Sequence, residues 1–349
     1  MLNSNSYIIL VILCIKFVSP FKINHHEGYL SAFNSNLSLN GLEYLGLGYN
    51  IKESMPFGNE EDIIIDPGYK EPVISFEYKN GFNIDSTHGK HLPVGVWTRN
   101  EALCYKTFLL SKGSKGKSMI SVLSEDIQLS IIGMDVYSGK KLTSNLSNTF
   151  KDDQMNMFKL NCSIYTTGMI LSNQWKLKRS ILILLNKINN YINSNVKPEN
   201  DDEKVKNAWY QLFNRYGTHI MTKITLGGKI VEMNNNKEDS SETKGTYENK
   251  MKLDLEIFKL DTNAENNNSN EELNKNKYEK IIIIGGNVVS NDLDDQSTDI
   301  NKEKWIKTIK HNPVPIQFEL SPLSYFIHQN YQNDNLLKSY EHYLNQYLE

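Results

Sequence analysis

The chain has 349 residues, of which 39% are hydrophobic, and this is enough for the core of one large domain or two ordinary ones. Its 38 basic and 41 acidic residues are spread along the sequence and give a net charge of -3, which argues against both a basic nucleic-acid-binding field and an acidic tail. Composition therefore predicts a globular protein that does not bind nucleic acid.

The N-terminus begins with a short apolar segment. Residues 7–15 are almost continuously apolar, but this run is far shorter than the ~20 residues of a membrane-spanning helix. We interpret residues 1–22 as a secretory signal peptide, although no Lys or Arg precedes the apolar run, and a buried N-terminal strand is the alternative. Residues 23–40 are polar and rich in Asn and Ser, which predicts a flexible start to a secreted mature chain.

The cysteines bear on the compartment and on metal binding. Cys14 would leave with the signal peptide, so Cys104 and Cys162 would remain as an even pair in an oxidising compartment. Both a disulfide and two free buried thiols are compatible with the sequence, which does not give the distance between them. Neither cysteine has metal-ligand spacing, and we expect no metal ion and no cofactor.

The region that starts at residue 41 is predicted to be loop-rich β structure. Glycines at 41, 46 and 48 interrupt an apolar and aromatic stretch that ends at Tyr49. A turn signal at 66–69 then precedes a strand-like run at 73–78.

Two strands that flank a polar insertion are predicted between about residues 105 and 160. Ile127, Leu129 and Ile131 recur with the period of two that is typical of a strand. A polar stretch follows at 138–153, and residues 157–169 form the next predicted strand.

Two amphipathic helices come next. Apolar residues recur at helical spacing over 178–194. Acidic residues at 201–203 lie where a helix N-terminus favours negative charge, ahead of a second apolar face at 205–216. The second helix leads into a short motif that ends at Ile220: Tyr216, Gly217, Thr218 and His219. Six residues then separate Ile220 from a pair of glycines, Gly227 and Gly228.

The 56 residues from 229 to 284 are heavily polar and contain an Asn-rich run at 263–276. Alternating apolar residues within them predict a half-buried strand, although an ordinary amphipathic strand or a helix edge has the same pattern. These residues are Met251, Leu253, Leu255 and Ile257. A second glycine pair, Gly285 and Gly286, follows. Adjacent glycines weaken a strand and mark a bend or a bulge, so the two pairs indicate where one strand gives way to a foldable segment and where the next strand begins.

The motif at 216–220, together with the glycine pair six residues later, resembles the membrane attack complex/perforin (MACPF) family, although Ile220 stands where the family usually has an aromatic residue. Gly285 and Gly286 fit the same pattern, as do Trp305 with two downstream prolines and the glycine-rich stretch at 41–49. The upstream features are most similar to the perforin-like proteins of apicomplexan parasites. The resemblance covers residues 41–328, and residues 329–349 are predicted to form a C-terminal helical tail.

The resemblance implies an α+β fold with a bent, twisted four-stranded antiparallel sheet flanked by helical clusters. It also implies a homo-oligomer, a ring or arc, on a lipid membrane, with two clusters per subunit that refold into amphipathic β-hairpins. Here the hairpins would come from about 105–160 and 229–284, with Ile127, Leu129, Ile131, Met251, Leu253, Leu255 and Ile257 as candidate membrane-hairpin residues. The four glycines would let the sheet open, and residues 216–219 would hold the hinge. Lysis, egress or traversal of host cells would follow.

Two alternatives stay open. His219 raises the possibility of an enzyme, but no Ser, Cys, Asp or Glu has triad spacing and no second His has metal-ligand spacing, so we expect a structural histidine and no enzymatic activity. Apicomplexan members usually carry a further Cys-rich β domain that binds membranes, whereas about twenty residues follow Ile327 here. The sequence is therefore also compatible with a longer chain, with a separate membrane-targeting partner, or with a non-lytic adhesion or assembly subunit of the same fold.

Overall fold

The structure is a computed structural model of the chain. It describes residues 39–57, 66–78, 84–85, 90–109, 123–130, 136–149, 156–193, 202–234, 246–252, 280–287 and 302–349. The predicted signal peptide at 1–22 and most of the polar segment at 23–40 lie outside these residues.

The helices follow the apolar periodicity of the sequence. Within the described residues they are α1 (Val136–Thr149), α2 (Arg179–Asn193), α3 (Glu203–Tyr216), α4 (Lys302–Thr308), α5 (Leu323–Tyr331) and α6 (Asp334–Leu348). The helices predicted at 178–194 and at 205–216 are confirmed as α2 and α3. The α3 helix begins after Asp202, whose side chain accepts hydrogen bonds from the backbone N–H groups of Lys204 and Val205, as an N-cap residue does. The helical tail predicted at 329–349 contains the end of α5 and the whole of α6.

The strands are β1 (Leu47–Tyr49), β2 (Tyr69–Pro72), β3 (Ile84–Asp85), β4 (Lys90–His91), β5 (Val96–Leu109), β6 (Ile127–Leu129), β7 (Asn156–Met169), β8 (His219–Asn234), β9 (Thr246–Lys252), β10 (Lys280–Ile284) and β11 (Val314–Pro322). The strand predicted at 157–169 is confirmed as β7. The prediction of a strand at 73–78 is wrong. The strand in this region is β2, which ends at Pro72, and residues 73–78 contribute only an isolated bridge between Ile74 and Leu177.

Four antiparallel strand positions form the centre of the fold. They run in the order β5, β7, β8 and then β10 with β11. The last position is split, because β11 pairs with residues 219–227 of β8 and β10 pairs with residues 229–233. The chain therefore leaves the sheet after Ile284, forms α4, and returns to the same sheet position at Val314.

Two chain segments are inserted between these strands. The first inserted segment, residues 110–155, separates β5 from β7, and it contains β6 and α1. The second inserted segment, residues 235–279, separates β8 from β10, and it contains β9. Each segment crosses the sheet: β6 pairs in parallel with β11, and β9 pairs antiparallel with β5. The sequence predicted a polar insertion between strands at 138–153. Its described residues, 138–149, lie in the helix α1, because residues such as Leu142 and Leu146 supply a buried helical face.

A helical layer covers the end of the sheet where β8 begins. The rings of Trp209 and Phe213 on α3 pack against Tyr340 on α6, with ring centroids 5.5 and 5.6 Å apart. The Trp209 indole N–H donates to the Ser339 hydroxyl at 2.9 Å. Residues at 329–349 thus share the main hydrophobic core with α3.

Candidate functional site

The motif at 216–219, where α3 ends and β8 begins, joins three parts of the fold. Gly217 ends α3, and the chain then passes close to β1, because the Thr218 N–H donates to the Tyr49 carbonyl at 2.9 Å. The Thr218 carbonyl accepts hydrogen bonds from the Leu323 N–H at 3.1 Å and from the Tyr340 hydroxyl at 2.9 Å. This motif therefore anchors the first residues of β8 to β1, α5 and α6.

The side chains of Thr218 and His219 are buried in this junction. The Thr218 Oγ1 lies 3.0 Å from His219 Nδ1 and accepts a hydrogen bond from the Ile51 N–H at 3.3 Å. His219 is 2% exposed, so a substrate would not reach its ring in this conformation. Among the described residues, no group of His, Cys, Asp and Glu is arranged to hold a metal ion.

The four glycines of the predicted hinge meet in the sheet. A methyl group added at Gly227 would lie 1.9 Å from the Cys162 carbonyl oxygen, and one added at Gly285 would lie 2.5 Å from the Gly227 carbonyl oxygen. Gly285 and Gly286 also have φ angles of 76° and 68°, in the left-handed region that favours glycine. The backbone of β8 is therefore closely enclosed by β7 on one side and by the end of β10 on the other.

Trp305 on α4 covers this glycine cluster. Its indole N–H donates to the Gly285 carbonyl at 3.0 Å, and its ring lies where a side chain at Gly228 would be. Asn312 completes the turn, because its carbonyl accepts from the Gly286 N–H at 2.9 Å and its side-chain amide donates to the Gly286 carbonyl at 3.0 Å. The structure thus brings both glycine pairs together with the tryptophan that the sequence pattern singled out.

Irregularities in the neighbouring strands lie at the same level as Gly227. On β7, Ile164 is skipped in the pairing with β8, between Ser163 opposite Gly227 and Tyr165 opposite Leu226. On β11 the register also shifts, between Pro315 and Gln317. On β5 it shifts between residues 100 and 103, opposite the bulge on β7. Bulges increase the local bend and twist, so their alignment across the sheet places the bend at this level.

Cys104 and Cys162 form a disulfide next to this bend. They are directly opposite each other on β5 and β7, with their Cα atoms 4.0 Å apart, and Cys162 is opposite Gly228 on its other side. The disulfide therefore joins the two strands that flank the first inserted segment.

Below the bend, a carboxylate is buried between two lysines. Asp126 Oδ2 lies 2.8 Å from the Lys159 Nζ of β7 and 2.6 Å from the Lys229 Nζ of β8, and the three side chains are at most 5% exposed. Burial by itself raises the pKa of the Asp126 carboxyl, but the two ammonium groups outweigh it and hold that pKa below its usual range. Burial lowers the pKa of Lys229 to about 8, although Asp126 offsets part of the effect.

The cluster of Asp126, Lys159 and Lys229 was not predicted from the sequence. Their signal was faint: Lys159 lies between Phe158 and Leu160, and Lys229 precedes Ile230, so each interrupts an apolar strand. A lysine at such a position needs a carboxylate partner when it is buried. Nothing in the sequence pointed to Asp126 as that partner.

The candidate hairpin residues are only partly described. Ile127 and Leu129 lie in β6, which pairs with β11. Met251 lies in β9, which pairs with β5. Ile131, Leu253, Leu255 and Ile257 lie outside the described residues. Among the helices that the structure describes, none has the length and apolar character needed to cross a membrane.

The bent sheet, its inserted segments and the glycine cluster agree with the family comparison, in which the model of the MAC/Perforin domain matches residues 31–349. The chain belongs to the MACPF family. The predicted fold class is confirmed, with mixed α and β content, a bent sheet and helical clusters. MACPF proteins in general act on membranes and oligomerise.

Solved structures of MACPF proteins are also similar to this chain. GNIP1Aa from Chromobacterium piscinae is 13% identical with a TM-score of 0.49, and the match covers 89% of this chain and 57% of that protein. A MAC/Perforin-domain protein from Bacteroides thetaiotaomicron is 13% identical with a TM-score of 0.40 over 87% of this chain and 60% of that one. Astrotactin-2, a vertebrate-specific perforin-like membrane protein, is 10% identical with a TM-score of 0.39, over 88% and 45%. This chain therefore spans about half to three fifths of the length of these proteins.

Proposed function

We propose that this MACPF protein is secreted, oligomerises on a target membrane and permeabilises it by inserting two β-hairpins per subunit. The observation that carries the proposal is the placement of the two inserted segments. Each one interrupts neighbouring antiparallel strands of the central sheet, so each could extend those strands as a hairpin without a change in chain connectivity. The cluster of Gly227, Gly228, Gly285 and Gly286 lies where the sheet would have to straighten.

The segments are long enough for this role. The first leaves 46 residues between Leu109 and Asn156, and the second leaves 45 between Asn234 and Lys280. Roughly 22 residues per strand, at about 3.3 Å each, exceed the ~10 residues with which a tilted strand crosses a bilayer.

The remaining parts of the proposal follow from the sequence. The apolar run at 7–15 supports secretion by a signal peptide, and the motif pattern supports a perforin-like role of the apicomplexan kind, in lysis, egress or traversal of host cells. We also propose that His219 is structural and that the protein is not an enzyme, because its ring is buried beside Thr218.

The proposal is tested by dye release from vesicles of phosphatidylcholine and phosphatidylserine, with the purified mature chain. The most specific test is a reversible disulfide between the first inserted segment and the sheet. Gln128 on β6 and Glu319 on β11 are neighbours in the parallel pairing, so the variant Gln128→Cys with Glu319→Cys is expected to hold the first inserted segment on the sheet when oxidised. We expect release by the wild type, none by the oxidised double variant, and recovery after reduction.

Two controls make the result interpretable. Gln128→Cys alone, oxidised in the same way, is expected to release dye like the wild type. Wild type with the reductant controls for loss of the native Cys104–Cys162 disulfide. If the wild type binds the vesicles and releases no dye, with or without a co-expressed partner, the pore is refuted and the non-lytic adhesion or assembly subunit is favoured.

A further inference from the structure

One residue of the first inserted segment contacts three of the four strand positions of the central sheet. The Asp126 carboxylate bridges Lys159 on β7 and Lys229 on β8, at 2.8 and 2.6 Å. Its backbone carbonyl accepts a hydrogen bond from the Phe318 N–H of β11 at 2.9 Å. The segment is thus fixed at this residue to the middle of the sheet and to its outer strand.

The ion cluster is buried beside apolar side chains. Phe57 lies against it, with the Lys229 Nζ 5.0 Å from the ring centroid, and Phe57 belongs to a hydrophobic cluster that joins the segment to the sheet. In that cluster the segment contributes Leu123 and Leu146, while β7 and β8 contribute Met157, Val231 and Met233. The Asn161 side-chain amide also lies 3.5 Å from the second Asp126 oxygen.

The three charged groups belong to two different parts of the fold, the sheet and the first inserted segment. Both lysines belong to sheet strands that persist when the segment leaves, whereas the carboxylate leaves with the segment. The ion pairs therefore exist only while the segment is docked. Removing the carboxylate from a buried cluster is costly because two ammonium groups are left in a water-poor site.

We propose that Asp126 is the latch that holds the first inserted segment on the sheet before insertion. The significance of release rests on the proposed function, since a hairpin can form only after the segment has left. The latch acts as a positioning contact, and it sets how often residues 123–130 detach from β11 while the rest of the fold stays intact.

Hydrogen exchange of the full chain in solution tests the latch without a membrane. The variant Asp126→Asn is expected to raise, on the order of 100-fold, the exchange of amides in β6 and of the β11 amides that bond to the segment, such as Phe318, as the consequence of breaking a buried pair. Amides of α2 and α6 are expected to exchange as in the wild type. Glu125→Gln, the same change at the exposed neighbouring residue, is the matched control and is expected to change neither region.

A second comparison keeps the latch testable if Asp126→Asn does not fold. Lys229→Met leaves Asp126 paired with Lys159, so β6 is expected to stay protected. Adding Asp126→Asn to Lys229→Met leaves one buried ammonium and no pair. This double variant is expected to expose β6 and the β11 amides bonded to the segment, such as Phe318, selectively. The latch is overturned if the double variant exchanges like Lys229→Met alone, or if exchange rises equally in α6.

The outcome is separable from pore formation. Selective release of β6 in solution by a protein that never permeabilises vesicles would support the latch and refute the pore. Dye release by the wild type together with unchanged exchange in Asp126→Asn would support the pore and refute the latch.

Discussion

Gly227 is the position where the bend of the sheet tolerates least change. Replacing it with alanine adds one methyl group, which would lie 1.9 Å from the Cys162 carbonyl oxygen and 2.9 Å from the carbonyl carbon. These are backbone atoms in the adjacent strand, so no side-chain rotation can relieve the contact. To reach an ordinary separation β7 and β8 must move apart by more than 1 Å, and we expect Gly227→Ala to lower the free energy of unfolding by about 3 kcal/mol.

Urea denaturation followed by circular dichroism measures this change, and Gly139→Ala is the matched control. Gly139 lies in α1, and among the described residues a methyl group there would meet only Leu129 Cδ1, at 3.7 Å. The same substitution in a helix is expected to raise stability by about 0.5 to 1 kcal/mol, because alanine has the higher helix propensity. Equal effects of the two variants would refute the argument that the enclosed backbone at Gly227 requires glycine.

Three further predictions concern the core. Tyr340→Phe is expected to cost only about 1 kcal/mol in urea denaturation, because the Thr218 carbonyl that loses the hydroxyl still accepts the N–H of Leu323; a loss above 3 kcal/mol would contradict this. Replacing Cys104 and Cys162 with serine is expected to lower stability by about 2 to 4 kcal/mol, and reduction of the wild type should give the same midpoint. Burial lowers the pKa of Lys229 in the folded protein to about 8, below the ordinary 10.5, so between these pH values the folded protein binds fewer protons than the unfolded chain. The free energy of unfolding of the wild type is therefore expected to rise with pH across this window, by on the order of 3 kcal/mol relative to Lys229→Met. Parallel pH profiles of the two proteins would refute the lowered pKa.

Local patterns predicted the longest amphipathic helices and the strand β7. The apolar spacing at 178–194 and 205–216 predicted α2 and α3 within a residue or two, since helix periodicity is a property of consecutive residues. The strand β7 was visible for the same reason. At 138–153 the sequence predicted only a polar insertion between two strands. The apolar face that includes Leu142 and Leu146 is too narrow to predict the helix α1 from the sequence alone.

The two glycine pairs are the part of the candidate site that the sequence predicted. Two adjacent glycines in a strand indicate a bend whatever the surrounding fold, so Gly227 and Gly285 were recognisable as parts of one hinge. Their contact, with a Cβ at Gly285 only 2.5 Å from the Gly227 carbonyl, depends on β10 pairing beside β8. The sequence located both glycine pairs of the predicted hinge, and the sheet brings them into contact.

The sequence by itself indicated the family, the helices α2 and α3, and the two glycine pairs at the bend, because each depends on residues close together in the chain. Only the tertiary structure decided that β6 and β9 cross to opposite edges of the sheet, and that Asp126 is buried between Lys159 and Lys229. Strand pairing and buried ion pairs join residues that are far apart in the chain, and no local pattern specifies which distant partner a strand edge or a buried charge will find.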